Sequence, residues 1–242
     1  MSLRCALKPV GLVGLSLALA ACQASNHADR SGHRMIEFVQ MMPGDEGLLF
    51  QLPSGFQPVS QGRQPGGVLT KTYRNPGDPQ GSSQTSIEVA IVPAALLASA
   101  GVDNPARFLW MVANGMSREA CATQHSISPL GPLEPEPKPE AGASKGSFKD
   151  FGVIVACGRT PAGRSEATLM QAFRNSGDLF SLTWKETGPP RSSAAAAIDV
   201  PLWQGRLRQL LPMHLCPGSP GQPGPSPACV LEVSQLKPPS RP

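Results

Sequence analysis

The chain has 242 residues, with 27 Pro, 25 Gly and 21 Lys+Arg against 17 Asp+Glu, a formal balance of +4. Its basic residues are scattered rather than gathered into a run, which argues against a nucleic-acid partner, because phosphate recognition needs a concentrated positive face. The length suits one domain with extended ends, and Pro and Gly cluster in a way that marks loops and tails rather than a globally unfolded chain.

The chain opens MSLRCALK, basic and without an acid, and an apolar stretch follows from Val10 to Ala21. A basic head, a short apolar middle and small residues at the end describe a secretory signal peptide over residues 1–21. About a dozen apolar residues are too few for a bilayer core that takes roughly 20 in helical form. Leu19-Ala20-Ala21-Cys22 resembles the bacterial lipoprotein lipobox. The resemblance implies cleavage before Cys22 and acylation of its sulfur and its new amino group. Gln23 behind it, in place of Asp, is similar to the outer-membrane sorting pattern. An ordinary signal peptide cut near Ala21 is the alternative. Cleavage leaves 19 basic and 17 acidic residues, a balance of +2.

Residues 22–45 are polar and read as a flexible tether, with His27 and His33 as solvated side chains. The domain is expected over 46–215. "LLFQLPSGFQPVS" reads as strand, turn, strand, and Val68–Tyr73 as a third strand ending at a Pro-Gly-Asp turn. "QTSIEVAIVP" gives a fourth, with Ile87, Val89 and Ile91 at period two on one face. A helix follows, capped by Asp103 or Asn104 with Pro105 in its first turn. Phe108, Val112 and Met116, with Leu109 and Ala120 beside them, form a stripe expected to lie on the sheet, and Trp110 falls off it.

Residues 128–146, "SPLGPLEPEPKPEAGASKG", read as a Pro-rich disordered loop. Strands are expected at about 148–157, 165–174 and 179–185. The turn Arg174-Asn-Ser-Gly-Asp echoes Arg74-Asn-Pro-Gly-Asp; shared turn chemistry explains the echo, and the two arginines lining one sheet edge is the alternative. A last helix from about Asp199 to Leu211 carries Trp203, Leu207, Leu210 and Leu211 on one face, with Arg206 and Arg208 elsewhere. Residues 216–242 form a Pro/Gly-rich tail in which "ACVLEVSQL" is the one candidate edge strand.

Of six cysteines, Cys5 leaves with the signal and Cys22 takes lipid. Cys121, Cys157, Cys216 and Cys229 remain, and four cysteines allow three pairings. In an oxidising compartment disulfides are expected. Cys216 with Cys229 is favoured because the Pro/Gly loop between them has little else to hold it, which leaves Cys121 with Cys157; one local disulfide plus two buried thiols is the alternative. The absence of CxxC argues against zinc, and no metal or cofactor is expected.

Taken together, the pattern predicts an α+β fold, an antiparallel sheet of six or seven strands packed with two main helices. The order of elements is similar to the Mog1/PsbP-like family, which includes a bacterial lipoprotein branch of the DcrB type. The likeness rests on "LFQLPSGFQPV", "GVIVACGRT", "ATLMQAF", "GDLFSLTW" and the closing amphipathic helix, over residues 46–215. It implies a binding or assembly factor without catalysis, and it carries over no site residue.

A search for chemistry names no catalytic residue. "GMSRE" and "GRSEA" lack the second glycine of a nucleophile elbow. His125 and His214 are the histidines in or near the domain and read as surface residues. Glu134, Glu136 and Glu140 sit in the Pro-rich loop, where solvation keeps them ordinary. The expected function is therefore a non-catalytic lipoprotein, held to a membrane by its N-terminal lipid and facing the periplasm, that binds a protein or envelope component. An immunity or inhibitor lipoprotein and a cell-envelope hydrolase are the alternatives.

Overall fold

The computed structural model describes residues 35–78, 84–121, 125–130, 150–174, 177–195 and 198–235. In chain order the first strands are β1 (Met35–Gln40), β2 (Gly47–Leu52), β3 (Gln57–Arg63), β4 (Leu69–Arg74) and β5 (Gln84–Val92). Helices α1 (Ala94–Ser99) and α2 (Pro105–Ala120) follow. Next come β6 (His125–Leu130), β7 (Asp150–Cys157), β8 (Ser165–Arg174), β9 (Leu179–Gly188), α3 (Val200–Gln209), β10 (His214–Cys216) and α4 (Pro227–Gln235). A seven-stranded antiparallel sheet runs β3-β4-β5-β9-β8-β7-β6, and a three-stranded one runs β1-β2-β10. This is an α+β fold, as the alternation of strand and helix patterns predicts.

Strand alternation sorts the large sheet into two different faces. Ile87, Val89 and Ile91 of β5 are fully buried, and their register brings them beside Trp184, Leu182 and Phe180 of β9. That face packs on Leu48, Phe50 and Leu52 of β2, on Trp203 and Leu207 of α3 and on Leu210 at its C-cap in one core. On the opposite face, Leu109 and Ala113 of α2 pack against Val153, Val155, Met170 and Ala172 of β7 and β8 in a second core. Helices α2 and α3 each begin on a side-chain cap: Asn104 accepts from Arg107 N at 2.8 Å, and Asp199 accepts from Leu202 N at 3.1 Å. A proline follows each cap, where its missing N–H costs nothing.

The chain's ends hold more structure than the sequence reading assigns. Strand β1 begins at Met35, inside the segment read as a tether, because Val39 and Glu37 find partners on the sheets. At the Pro-rich segment, Ser128, Pro129 and Leu130 belong to β6, where an edge position spares Pro129 the need for a donor on its outer side; 131–149 lie outside the described residues, as do 1–34. "ACVLEVSQ" is helix α4 rather than an edge strand. Pro227 takes its first turn, Ser226 Oγ accepts from Cys229 N at 3.4 Å, and a disulfide fixes it to β10.

Disulfides join Cys121 to Cys157 and Cys216 to Cys229. The first ties the end of α2 to the end of β7, and the second ties α4 over Leu49 and Phe38 of the small sheet. No helix among the described residues is long and apolar enough to cross a membrane.

Candidate functional site

Helix α2 packs over β6, β7 and β8 and, among the described residues, leaves the β4-β5-β9 half of the same face uncovered. The result is a groove of about 500 Å³ between the flank of α2 and the bare sheet. Its floor is set by strand alternation: Thr70 and Thr72 of β4, Ser86 and Glu88 of β5, and Thr183 and Lys185 of β9. The wall is apolar. Phe108, Val112 and Met116 recur every four residues along α2, each only partly buried. Leu96, from α1, closes one end.

The stripe that the helical periodicity picks out is thus the groove wall and not the residues pressed hardest on the sheet. Leu109 and Ala113, one position further round the helix, are the fully buried ones. An off-centre helix rotates its deepest contact toward the strands it covers, and the near edge of its apolar stripe is left facing the open half.

The floor is charged at two points. Lys185 Nζ pairs with Glu166 Oε2 at 2.7 Å, and Thr72 Oγ1 donates to Glu88 Oε2 at 3.4 Å. Hydroxyls both donate and accept, and so tolerate many polar partners, while the helix wall offers apolar area. The described lining holds neither His nor Cys. The arrangement sets an apolar wall beside a floor of hydroxyl and charged side chains.

A second polar cluster lies between the sheets. Glu37 Oε2 accepts from Lys71 Nζ at 2.9 Å and from the Tyr73 hydroxyl at 3.0 Å. Burial first, then the charge and hydrogen bond of Glu37, push the Tyr73 phenol well above its ordinary value. At the α3 face, Glu186 Oε1 accepts from Trp184 Nε1 at 3.0 Å and Arg206 Nε at 2.7 Å, and the Arg206 guanidinium lies over the Trp184 ring. Arg206 therefore clamps its helix to β9 instead of pointing away from it. Both clusters fasten layers together.

Cys22, His27, His33, Glu134, Glu136 and Glu140 lie outside the described residues. His125 opens β6 opposite Cys157, and its cavity, shared with Glu166 and Thr168, is about 10 Å³, too small for more than one water. His214 opens β10 in the other sheet, opposite Leu49. The two histidines are on different sheets, and the Glu166 that shares the His125 cavity is ion-paired with Lys185. Arg74 and Arg174 fall at opposite ends of the sheet, since Arg74 pairs with Ser86 at one end of β5 while Leu179, opposite Arg174, pairs with Val92 at the other. Among the described residues, no group of three or more His, Cys, Asp or Glu is placed to hold a metal ion.

The wall of the groove is the stripe read from helical periodicity, but its floor residues escape sequence reasoning because none is chemically distinctive. One signal points to them: "LTKTYR", "QTSIEV" and "FSLTWKE" each carry small hydroxyls on the face opposite their buried residues, and two helical stripes are too few to cover both faces of seven strands.

Comparison with known proteins returned no matching family model and no matching curated relative. Among solved structures, the Ran-binding protein Mog1p of Saccharomyces cerevisiae aligns at 13% identity and TM-score 0.40, covering 76% of this chain and 96% of that one. A Mog1 mutant aligns at 12% identity and TM-score 0.42, covering 75% and 96%. LpqN of Mycobacterium tuberculosis, involved in cell envelope biogenesis, aligns at 14% identity and TM-score 0.37, covering 72% and 88%. None of the scores reaches one half, and no residue role is carried across from them.

Proposed function

We propose that this chain is a non-catalytic envelope lipoprotein, anchored through acylated Cys22 to the outer membrane on its periplasmic side. Its α+β domain captures a protein partner in the groove between α2 and the β4-β5-β9 half of the sheet. The observation that carries the binding role is the groove itself, an apolar wall of Phe108, Val112 and Met116 above a hydroxyl floor. A partner segment with one apolar and one polar face would satisfy both surfaces, and burying apolar area contributes about 25 cal/mol per Å². The address is supported by the basic-apolar leader ending in Leu19-Ala20-Ala21-Cys22 and by two disulfides, which persist in oxidising compartments.

Site-specific photocrosslinking in intact cells tests the binding role. A photoreactive residue at Val112 is expected to capture a discrete protein, while the same residue at exposed Leu202 on α3 captures none. Identical patterns from the two positions would overturn the groove assignment. The anchor is tested separately, by the acyl mass on the mature amino terminus and by Cys22→Ser, which is expected to release the domain from the membrane fraction.

A further inference from the structure

Among the described residues, nine large hydrophobic side chains are exposed, and four of them lie on or beside the α4 side of the small sheet: Ile36, which strand alternation puts on the same face of β1 as Phe38, Met42 in the turn after β1, and Val230 and Leu231 on α4. Contacts link these elements. Phe38 of β1 packs with Leu49, Cys216 and Cys229 under α4. The turn at 41–46 lies against the loop that leads to α4, with Gly218 close enough to Asp45 O and Gly44 that a side chain there would collide. The Cys216–Cys229 disulfide holds the corner together.

We propose that this corner is a membrane-seating face that rests on the lipid surface to which Cys22 is tied. The inference depends on the anchor reading above and adds an orientation to it. What selects lipid as the occupant is chain length and where the chain enters the fold. Cys22 precedes Met35 by thirteen residues, a span of at most about 45 Å when fully extended, and the chain arrives directly at the exposed end of β1. An acylated Cys22 therefore reaches the Ile36 end of this face first by covalent path, and the Cys216–Cys229 bond holds α4 at the Gln40 end, where Gly47 pairs with both Gln40 and Cys216. Ile36 at 51% and Leu231 at 62% exposure are the side chains suited to the headgroup–acyl boundary, where interfacial apolar residues insert about 5–10 Å. Seated this way, the domain adds a second weak attachment to the lipid one. It also fixes which surface faces the aqueous space.

The test uses the full acylated chain in vesicles of phosphatidylethanolamine and phosphatidylglycerol with brominated acyl chains, which quench nearby tryptophan. Leu231→Trp and, independently, Ile36→Trp are compared with the parent chain, whose own tryptophans Trp110, Trp184 and Trp203 supply the baseline. Each added tryptophan is expected to lose at least half its emission relative to unbrominated vesicles, with disulfide mass unchanged as the check on folding. Acylated protein with no added quenching at either position overturns the seating and leaves the anchor standing. A mature protein without acyl mass overturns the anchor and the seating with it. A dimer in detergent that shields position 231 assigns the corner to a second copy and equally overturns the proposal.

Discussion

Tyr73 is the one tyrosine in the chain, and it is fully buried against Phe50, edge to face at 5.8 Å, with its hydroxyl on Glu37. An unfolded tyrosine ionises at about 10, whereas burial and the neighbouring carboxylate hold this one protonated well beyond that. Above pH of about 10 the folded state therefore binds more protons than the unfolded state, so stability is fully present below that pH and falls as pH rises through it. Because no other phenol contributes, near-ultraviolet phenolate absorbance reads Tyr73 alone. The signal is expected to stay absent at pH 10 in folded protein and to appear only with unfolding, and a simple titration near 10 in folded protein would contradict the burial. Glu37→Gln, which keeps the shape and removes the charge, is expected to cost about 1–3 kcal/mol in denaturant unfolding, since Lys71 and Tyr73 both lose a charged acceptor.

Helix α4 shows what one covalent bond does for a short element. Its nine residues are too few to be helical alone in water, where roughly 12 or more are needed, and its described contacts with the core centre on Cys229, Cys216, Leu49 and Phe38. Replacing Cys216 and Cys229 together by Ser is expected to lower stability by about 2–4 kcal/mol and to release α4. The denaturation midpoint and the loss of far-ultraviolet helical signal check this, with the Cys121–Cys157 bond still intact by mass. The same element marks where sequence reading stops. Strands β4 and β5 announce themselves because apolar residues alternate along them, β8 and β9 because their apolar runs flank an Asn-Ser-Gly-Asp turn sequence, and α2 and α3 because each has a cap, a proline and an apolar stripe. Helix α4 has an ambiguous apolar run, and only its distant cysteine partner decides between helix and strand. Strand β1 is hidden for a similar reason, since Glu37 reads as a solvated tether residue until Lys71 and Tyr73 are brought to it from the large sheet.

At the scale of the molecule the two faces of the large sheet are unequal. One is sealed by α3 and the small sheet; the other is half sealed by α2, and the rest is the groove. No residue motif encodes that inequality. It follows from counting covers against strands, a property of the assembled layers, which is why the groove was not legible while the fold class was. Stability should follow the same division. In native-state hydrogen exchange, amides of β8 and β9, paired on both sides and buried, are expected to exchange slowest. Those of β3, an edge strand with all seven residues exposed, are expected to be the fastest in that sheet. Equal protection in β3 and β9 would contradict the layering.

Strand β2 takes β1 on one side and β10 on the other, so the small sheet joins the start of the described fold to its closing third. A chain synthesised from its amino end makes β2 by Leu52 but has no second partner for it until Cys216 has emerged. Until Gln209 has been made, Leu48, Phe50 and Leu52 lack α3 as well, and the strand keeps an open hydrogen-bonding edge until β10 arrives. Every copy of the protein therefore passes through a long greasy adolescence during biosynthesis. A nascent or prematurely terminated copy ending before His214 would be a natural client for the holding chaperones that meet it on the way.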